Sequence, residues 1–114
     1  MIFVTGPLYA GKSEYIRRAL GLDEEAFAAC SARDVQELAD AEDLDALAAR
    51  LAEKRVVIAT ELGGGVVPMD PKAREKRERA GRLACLLAER ADSVIRVCCG
   101  LPQLLKGDWP CKSS

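Results

Sequence analysis

The apolar residues of this chain change period along its length, and the changes mark its elements. Ile2-Phe3-Val4-Thr5 is a short apolar run that predicts a strand over 2–5. Residues 12–20 predict a helix, with Gly21 as its natural stop. A strongly acidic stretch follows, from Asp23 to about Glu53. Within it residues 26–30 are ambiguous: the alanines favour helix, while the position suits a short buried strand. Asp34-Val35-Gln36-Glu37 has the pattern of a capping box opening a helix. Leu44, Leu47, Ala48 and Leu51 recur at i, i+3, i+4, i+7 and predict a helix over 42–54 with one apolar face. Val56-Val57-Ile58-Ala59 is apolar throughout, hence a strand covered on both faces. A glycine-rich loop runs from Thr60 to Pro68, and Pro68 to Pro71 punctuate. The long helix that follows to Arg90 gathers Ala73, Ala80, Leu83, Ala84, Leu87 and Ala91 on one side. Its first half is basic and solvated, supported by Glu75–Arg79 and Glu78–Arg82 pairs. Residues 94–98 predict the last strand, Leu101-Pro102 ends the ordered pattern, and 106–114 reads as a tail. Strands alternating with helices predict one α/β domain, 1–105, with a small, mostly parallel sheet.

Between the first strand and the first helix stands Gly6-Pro7-Leu8-Tyr9-Ala10-Gly11-Lys12-Ser13, a complete G-x-x-x-x-G-K-S phosphate-binding loop. Glycines let the backbone fold tightly enough to aim several N–H groups at one anion. The following helix adds its unpaired N–H groups and the positive end of its dipole. Lys12, expected to be exposed, would reach the β- and γ-phosphates, and Ser13 would offer its hydroxyl to Mg²⁺. Strand, loop and helix agree, and predict a three-layer P-loop NTPase of RecA-like type. In such a sheet ligands bind at the carboxyl ends of the strands, where residues 6–13 and 60–65 both fall.

Composition narrows the chemistry. Seventeen basic residues against eighteen acidic ones give no general case for nucleic acid or an anionic membrane as partner. No histidine occurs, which excludes a histidine base, a phosphohistidine and a histidine metal ligand. No apolar run is long enough to span a bilayer, and the start reads as a first strand and not a signal peptide. The five cysteines lack any C-x-x-C spacing. They read as small buried apolar residues in a reducing cytoplasm, with Cys98 and Cys99 on opposite faces of a strand and Cys111, in a proline-containing tail, as a candidate exposed thiol.

Three stretches resemble the bifunctional adenosylcobinamide kinase/adenosylcobinamide-phosphate guanylyltransferases. They are Ile2 to Ser13, then Val56-Val57-Ile58-Ala59-Thr60-Glu61-Leu62-Gly63-Gly64-Gly65-Val66-Val67-Pro68, and then Arg74, Arg77, Ala80-Gly81-Arg82, Ala91-Asp92-Ser93-Val94 and Gly100. The middle stretch is similar to the family's Asn-Glu-Val-Gly-x-Gly-Ile-Val-Pro signature, with Thr60 in place of its Asn. The resemblance implies a kinase of cobalamin assembly, moving the γ-phosphate of ATP or GTP to the hydroxyl of a cobinamide's aminopropanol arm with Mg²⁺. Family members are longer, and the block carrying their GMP-accepting histidine has no counterpart between the first helix and Val56. The chain holds no histidine, so a guanylyl-histidine cannot form.

Phosphoryl transfer also needs a carboxylate to organise metal or acceptor. Asp34 and Glu61 are the candidates. Asp34 either ends a short strand beside the phosphate site or caps a helix. Glu61 follows the strand 56–59 and corresponds to the signature glutamate, or is a surface loop acid. The catalytic set is therefore Lys12, Glu61 and Asp34, and the nucleotide cradle is residues 6–13. A non-catalytic nucleotide-binding partner or sensor is the alternative reading, and a homo-oligomer would be one way to complete a shortened site.

Overall fold

The computed structural model describes residues 1–8, 10–61 and 70–110. Tyr9, the Gly63-Gly64-Gly65 segment and Cys111 lie outside the described residues.

Five strands form one sheet, in the order β2-β3-β1-β4-β5. β1 (Ile2–Gly6) lies at its centre, in parallel register with β3 (Val56–Thr60) on one side and β4 (Ser93–Cys98) on the other. The two-residue β2 (Ser31–Ala32) extends the parallel set beyond β3. β5 (Leu101–Lys106) runs antiparallel at the opposite edge.

Alternation along each strand sends its side chains to two separate cores. Phe3, Val57, Ala59 and Val94 face α3 (Leu44–Leu51) and α4 (Pro71–Arg90), against Leu47, Leu51, Leu83 and Leu87. Val4, Val56, Ile58, Ile95 and Val97 face the other way, against Ile16 of α1 (Lys12–Ala19) and Phe27 of α2 (Glu24–Cys30). Every residue of β3 is buried, as its unbroken apolar run requires. Asp23, Asp43 and Asp70 cap α2, α3 and α4 by accepting N–H groups of the first turn.

The ambiguous segment 26–30 belongs to α2, and the strand its position suggested is β2, directly after it. Four expectations are corrected. Asp34 caps nothing: its backbone is left-handed (φ 54°, ψ 40°), it makes no side-chain cap bond, and the four residues after it form a 3-10 turn, Val35–Leu38, not an α-helix. Glu37 pairs instead with Lys76 of α4, at 2.8 Å. The ordered pattern does not end at Leu101-Pro102. Cys99 and Gly100 both have positive φ and make the two-residue hairpin that returns the chain as β5. Pro102 is tolerated there because β5 is an edge strand. The cysteines are not a buried set either: Cys85 and Cys99 are exposed, and Cys99 lies in the hairpin turn, not in a strand. Arg79 turns from Glu75 to other partners: its guanidinium donates to the Ala39 and Ala41 carbonyls and ties α4 to the 3-10 turn.

Candidate functional site

The carboxyl ends of β1, β2 and β3 converge on the loop 6–11. Gly6 closes β1 where a Cβ would stand 2.1 Å from the Val97 carbonyl oxygen, so the close pass of β1 along β4 demands glycine. Gly11 precedes α1 in a left-handed conformation (φ 80°) that no side chain caps. The first N–H groups of α1 thus have no capping side chain, and they lie at the positive end of the helix dipole. The hairpin after β4 braces this loop, since the Gly100 N–H donates to the Ala10 carbonyl at 2.9 Å.

Lys12 begins α1, and it is buried, not exposed as expected, at 8 % of its free surface. Its Nζ donates to the Pro7 carbonyl across the loop at 2.7 Å. Burial lowers its pKa, and the nearby carboxylates of Asp34 and Glu61 oppose that shift. The cation is thus held in a partly desolvated site between two acids and one carbonyl, poised over the loop.

A cleft of about 250 Å³ collects these groups. Leu8, Ala10, Gly11, Lys12 and Ser13 line it from the loop and α1, Arg33 and Asp34 from the end of β2, and Ile58 and Thr60 from β3. Asp34 therefore shares one cleft with Lys12 and Ser13. Glu61 sits differently. It leaves the end of β3, its N–H donates to the Gly6 carbonyl at 2.9 Å, and its carboxylate receives both Nε and Nη2 of Arg96 at 2.9 and 2.8 Å. That bidentate contact is the main cause of a lowered Glu61 pKa, with Lys12 adding to it. Glu61 lines a second cleft on the α4 face, with Thr5, Gln36, Ala59, Thr60, Arg77, Ala80, Gly81 and Ala84. Thr60 borders both clefts. Pro7 and Leu8 flank the loop, Leu8 largely exposed; Tyr9, the remaining cradle residue, is outside the described residues.

Three polar residues join the site without having been singled out from sequence. Gln36 is buried and its Oε1 accepts the Thr60 N–H at 2.9 Å, pinning the 3-10 turn to the end of β3. Arg33 adds a cation to the loop cleft. Arg96 holds Glu61. The signal for Arg96 was available: a lone charge near the carboxyl end of an otherwise apolar parallel strand.

The fold is that of an α/β protein with a mostly parallel sheet, and the carboxyl edge of that sheet gathers an uncapped helix start, a buried lysine and two carboxylates. Its family is more specific. The model of the cobinamide kinase / cobinamide phosphate guanyltransferase family matches residues 23–105, more than half of the chain, and the chain belongs to that family. The family comprises transferases of cobalamin biosynthesis that act on nucleotide and cobinamide substrates. The matched span holds Asp34, Glu61, Gly81 and Arg96; the loop 6–13 precedes it and stands on its own pattern and geometry. No curated protein matches the chain. No helix among the described residues is long and apolar enough to cross a membrane.

Proposed function

We propose that the protein is an adenosylcobinamide kinase-like phosphotransferase on a RecA-like P-loop fold, acting in the cytoplasm. It moves the γ-phosphate of ATP or GTP to the aminopropanol hydroxyl of a cobinamide. The observation that supports this reading is the shared cleft of Lys12, Ser13 and Asp34, beneath an uncapped α1 and at the carboxyl end of the sheet. On binding, the triphosphate takes the N–H groups of the loop, and Lys12 exchanges the Pro7 carbonyl for phosphate oxygens. The low-dielectric setting that lowers the lysine pKa also strengthens its attraction for that anion.

Mg²⁺ fits the donors present: the Ser13 hydroxyl and Asp34 carboxylate are hard oxygen ligands lining one cleft. Ser13 and Asp34 would hold it there, and when bound it neutralises charge on the phosphates. Glu61, ionised and fixed by Arg96, stands across Thr60 from the loop and orients the acceptor hydroxyl. The two acids thus divide the work, Asp34 on the nucleotide side and Glu61 on the acceptor side. Guanylyl transfer through a histidine is excluded by composition, so the kinase half-reaction is the one this site supports.

Incubation with ATP or GTP, Mg²⁺ and adenosylcobinamide, followed by mass analysis of the corrinoid, tests the reading. A mass gain of one phosphoryl group is expected. Tight nucleotide binding with no modified corrinoid would instead favour a non-catalytic nucleotide-binding protein.

A further inference from the structure

Arg33 is a cation that the proposed reaction leaves without a task. It directly follows β2 and lines two cavities at once. One is the loop cleft of about 250 Å³, with Lys12, Ser13 and Asp34. The other, about 590 Å³, is lined by α1 and α2, and Ser13, Glu14 and Arg33 belong to both. The remaining charges on these walls have other occupations. Glu14 pairs with Arg18 at 2.7 Å, Arg17 donates to the Leu22 carbonyl at 3.2 Å, and Lys12 donates to the Pro7 carbonyl. Glu24 stands in the first turn of α2, where the helix dipole favours an acid. Arg33 is exposed and has no hydrogen bond or ion pair among the described residues. Successive residues of an extended chain point to opposite sides, yet Arg33 and Asp34 line the same cleft. Asp34 breaks the alternation with a φ of 54°. Among the described residues Cys99 also has a positive φ without being glycine, but its hairpin accounts for it, whereas Asp34 turns no hairpin. An unusual backbone conformation thus sets a free guanidinium at the mouth of the phosphate site.

We propose that Arg33 is a catalytic residue, a cation carried in the same chain that closes onto the γ-phosphoryl group during its transfer. The proposal rests on the reading of the Lys12 cleft as the nucleotide site. Lys12 reaches the phosphates from α1, and Arg33 reaches them from the end of β2. Asp34 faces the metal, which leaves the guanidinium for phosphoryl oxygens. Before transfer the exposed guanidinium is solvated, and a solvated ion pair returns little beyond the entropy of holding a long side chain still. In transfer the acceptor oxygen bonds to the γ-phosphorus while the bond from that phosphorus to the β–γ bridging oxygen breaks. The electron pair leaves with the nucleoside diphosphate, and the hydroxyl proton passes to Glu61. Charge then spreads over the equatorial and bridging oxygens, and the planar fork of N–H donors matches that spread. Arg33 therefore acts on the rate and not on the affinity for nucleotide.

The test uses Arg33→Gln and Arg33→Lys, substitutions at an exposed position that should melt with the unaltered protein. Arg33→Gln should lower phosphoryl transfer to adenosylcobinamide ~100–1000-fold, as loss of one transition-state donor does, and keep Mg-triphosphate affinity within about threefold. Arg33→Lys should recover part of the rate, because it restores the charge but not the fork. Calorimetric titration of Mg-bound nucleoside diphosphate with aluminium fluoride, a mimic of the phosphoryl group in transfer, reads the same contact without turnover. Aluminium fluoride should tighten binding to the unaltered protein at least ~10-fold, and Arg33→Gln should remove that gain. Unchanged turnover in Arg33→Gln, or an equal gain, overturns the assignment; so does a loss of triphosphate affinity as large as the loss of rate. If the unaltered protein leaves the corrinoid unmodified, the kinase reading falls and the fluoride titration decides Arg33 by itself. A gain that Arg33→Gln removes then keeps the assignment, and no gain in the unaltered protein overturns it.

Discussion

Gln36 offers the sharpest check on how the site is held. Its Oε1 accepts the Thr60 N–H at 2.9 Å, and both residues are buried, Gln36 at 6 % and Thr60 at 8 % exposure. Thr60 ends β3 at the point where the two clefts meet, so this bond fixes the 3-10 turn and Asp34 relative to Lys12. Gln36→Leu keeps the side chain's bulk and removes the acceptor. The Thr60 N–H is then left buried without a partner, which costs about 1–3 kcal/mol. In a domain of this size each kcal/mol moves the melting temperature by about 4–8 °C, so a fall of about 5–20 °C is expected. The domain should still fold, since domain stabilities run to about 5–15 kcal/mol. Thermal melts measure the loss, and hydrogen exchange at the Thr60 amide locates it, because protection there should drop more than in the middle of β1. A melting temperature within 2 °C of the unaltered protein (roughly half a kcal/mol or less), with Thr60 equally protected, would refute the reasoning.

Lys12→Met should lower Mg-nucleotide affinity roughly 10–100-fold, the value of one charge-assisted bond, in a calorimetric titration. It should melt no lower at neutral pH, because burial disfavours the charge it removes. Asp34→Asn keeps the left-handed backbone, which asparagine tolerates, and removes only charge; turnover should fall at least ~100-fold, with partial recovery at high Mg²⁺ concentration. Glu61→Gln should lower turnover by a similar ~100-fold while leaving nucleotide affinity nearly unchanged, which kinetic and binding measurements on the same sample distinguish. The Glu61 pKa is lowered in the folded protein, so the pair with Arg96 contributes stability that is complete above the ordinary glutamate pKa and is lost as pH falls through the folded value. Acid melts of Arg96→Gln should accordingly show a shallower loss of stability across that interval than the unaltered protein.

The central strands, the phosphate-loop pattern and the long helix were legible because each rests on local chemistry that tertiary structure had no reason to override. β1 and β3 are each dominated by an apolar run, and α4 follows a proline start and buries Ala80, Leu83 and Leu87 from its second half. What the sequence hid were features decided by neighbours far along the chain. Pro102 looked like a terminator, yet on the outer edge of a sheet its missing N–H has no ladder bond to spoil. Cys99-Gly100 lacks the usual asparagine of a two-residue hairpin, although both residues adopt the positive φ such a turn requires.

Asp34 is the most instructive residue. Its spacing to Glu37 satisfied a capping pattern, but a capping box needs a helix whose first turn presents free N–H groups to the side chain. Here only four residues of 3-10 turn follow, the Asp34 backbone is left-handed, and Glu37 is drawn to Lys76, 39 positions along the chain. With its local occupation gone, the carboxylate is left at the end of β2, facing the same cleft as Lys12 and Ser13. Glu61 has the opposite history, since it gains a partner, Arg96, that no local pattern pairs with it. A site made of one acid released from local bonding and one acid fixed by a distant arginine can keep the two at different tasks beside a single lysine. The Coulombic pull of both on Lys12 is the physical link between them. Neutralising either acid should therefore lower the Lys12 pKa further, and the change should be readable as a shift of the basic limb in the pH dependence of nucleotide affinity. An unmoved limb in both Asp34→Asn and Glu61→Gln would break that link and, with it, the division of labour between the two clefts.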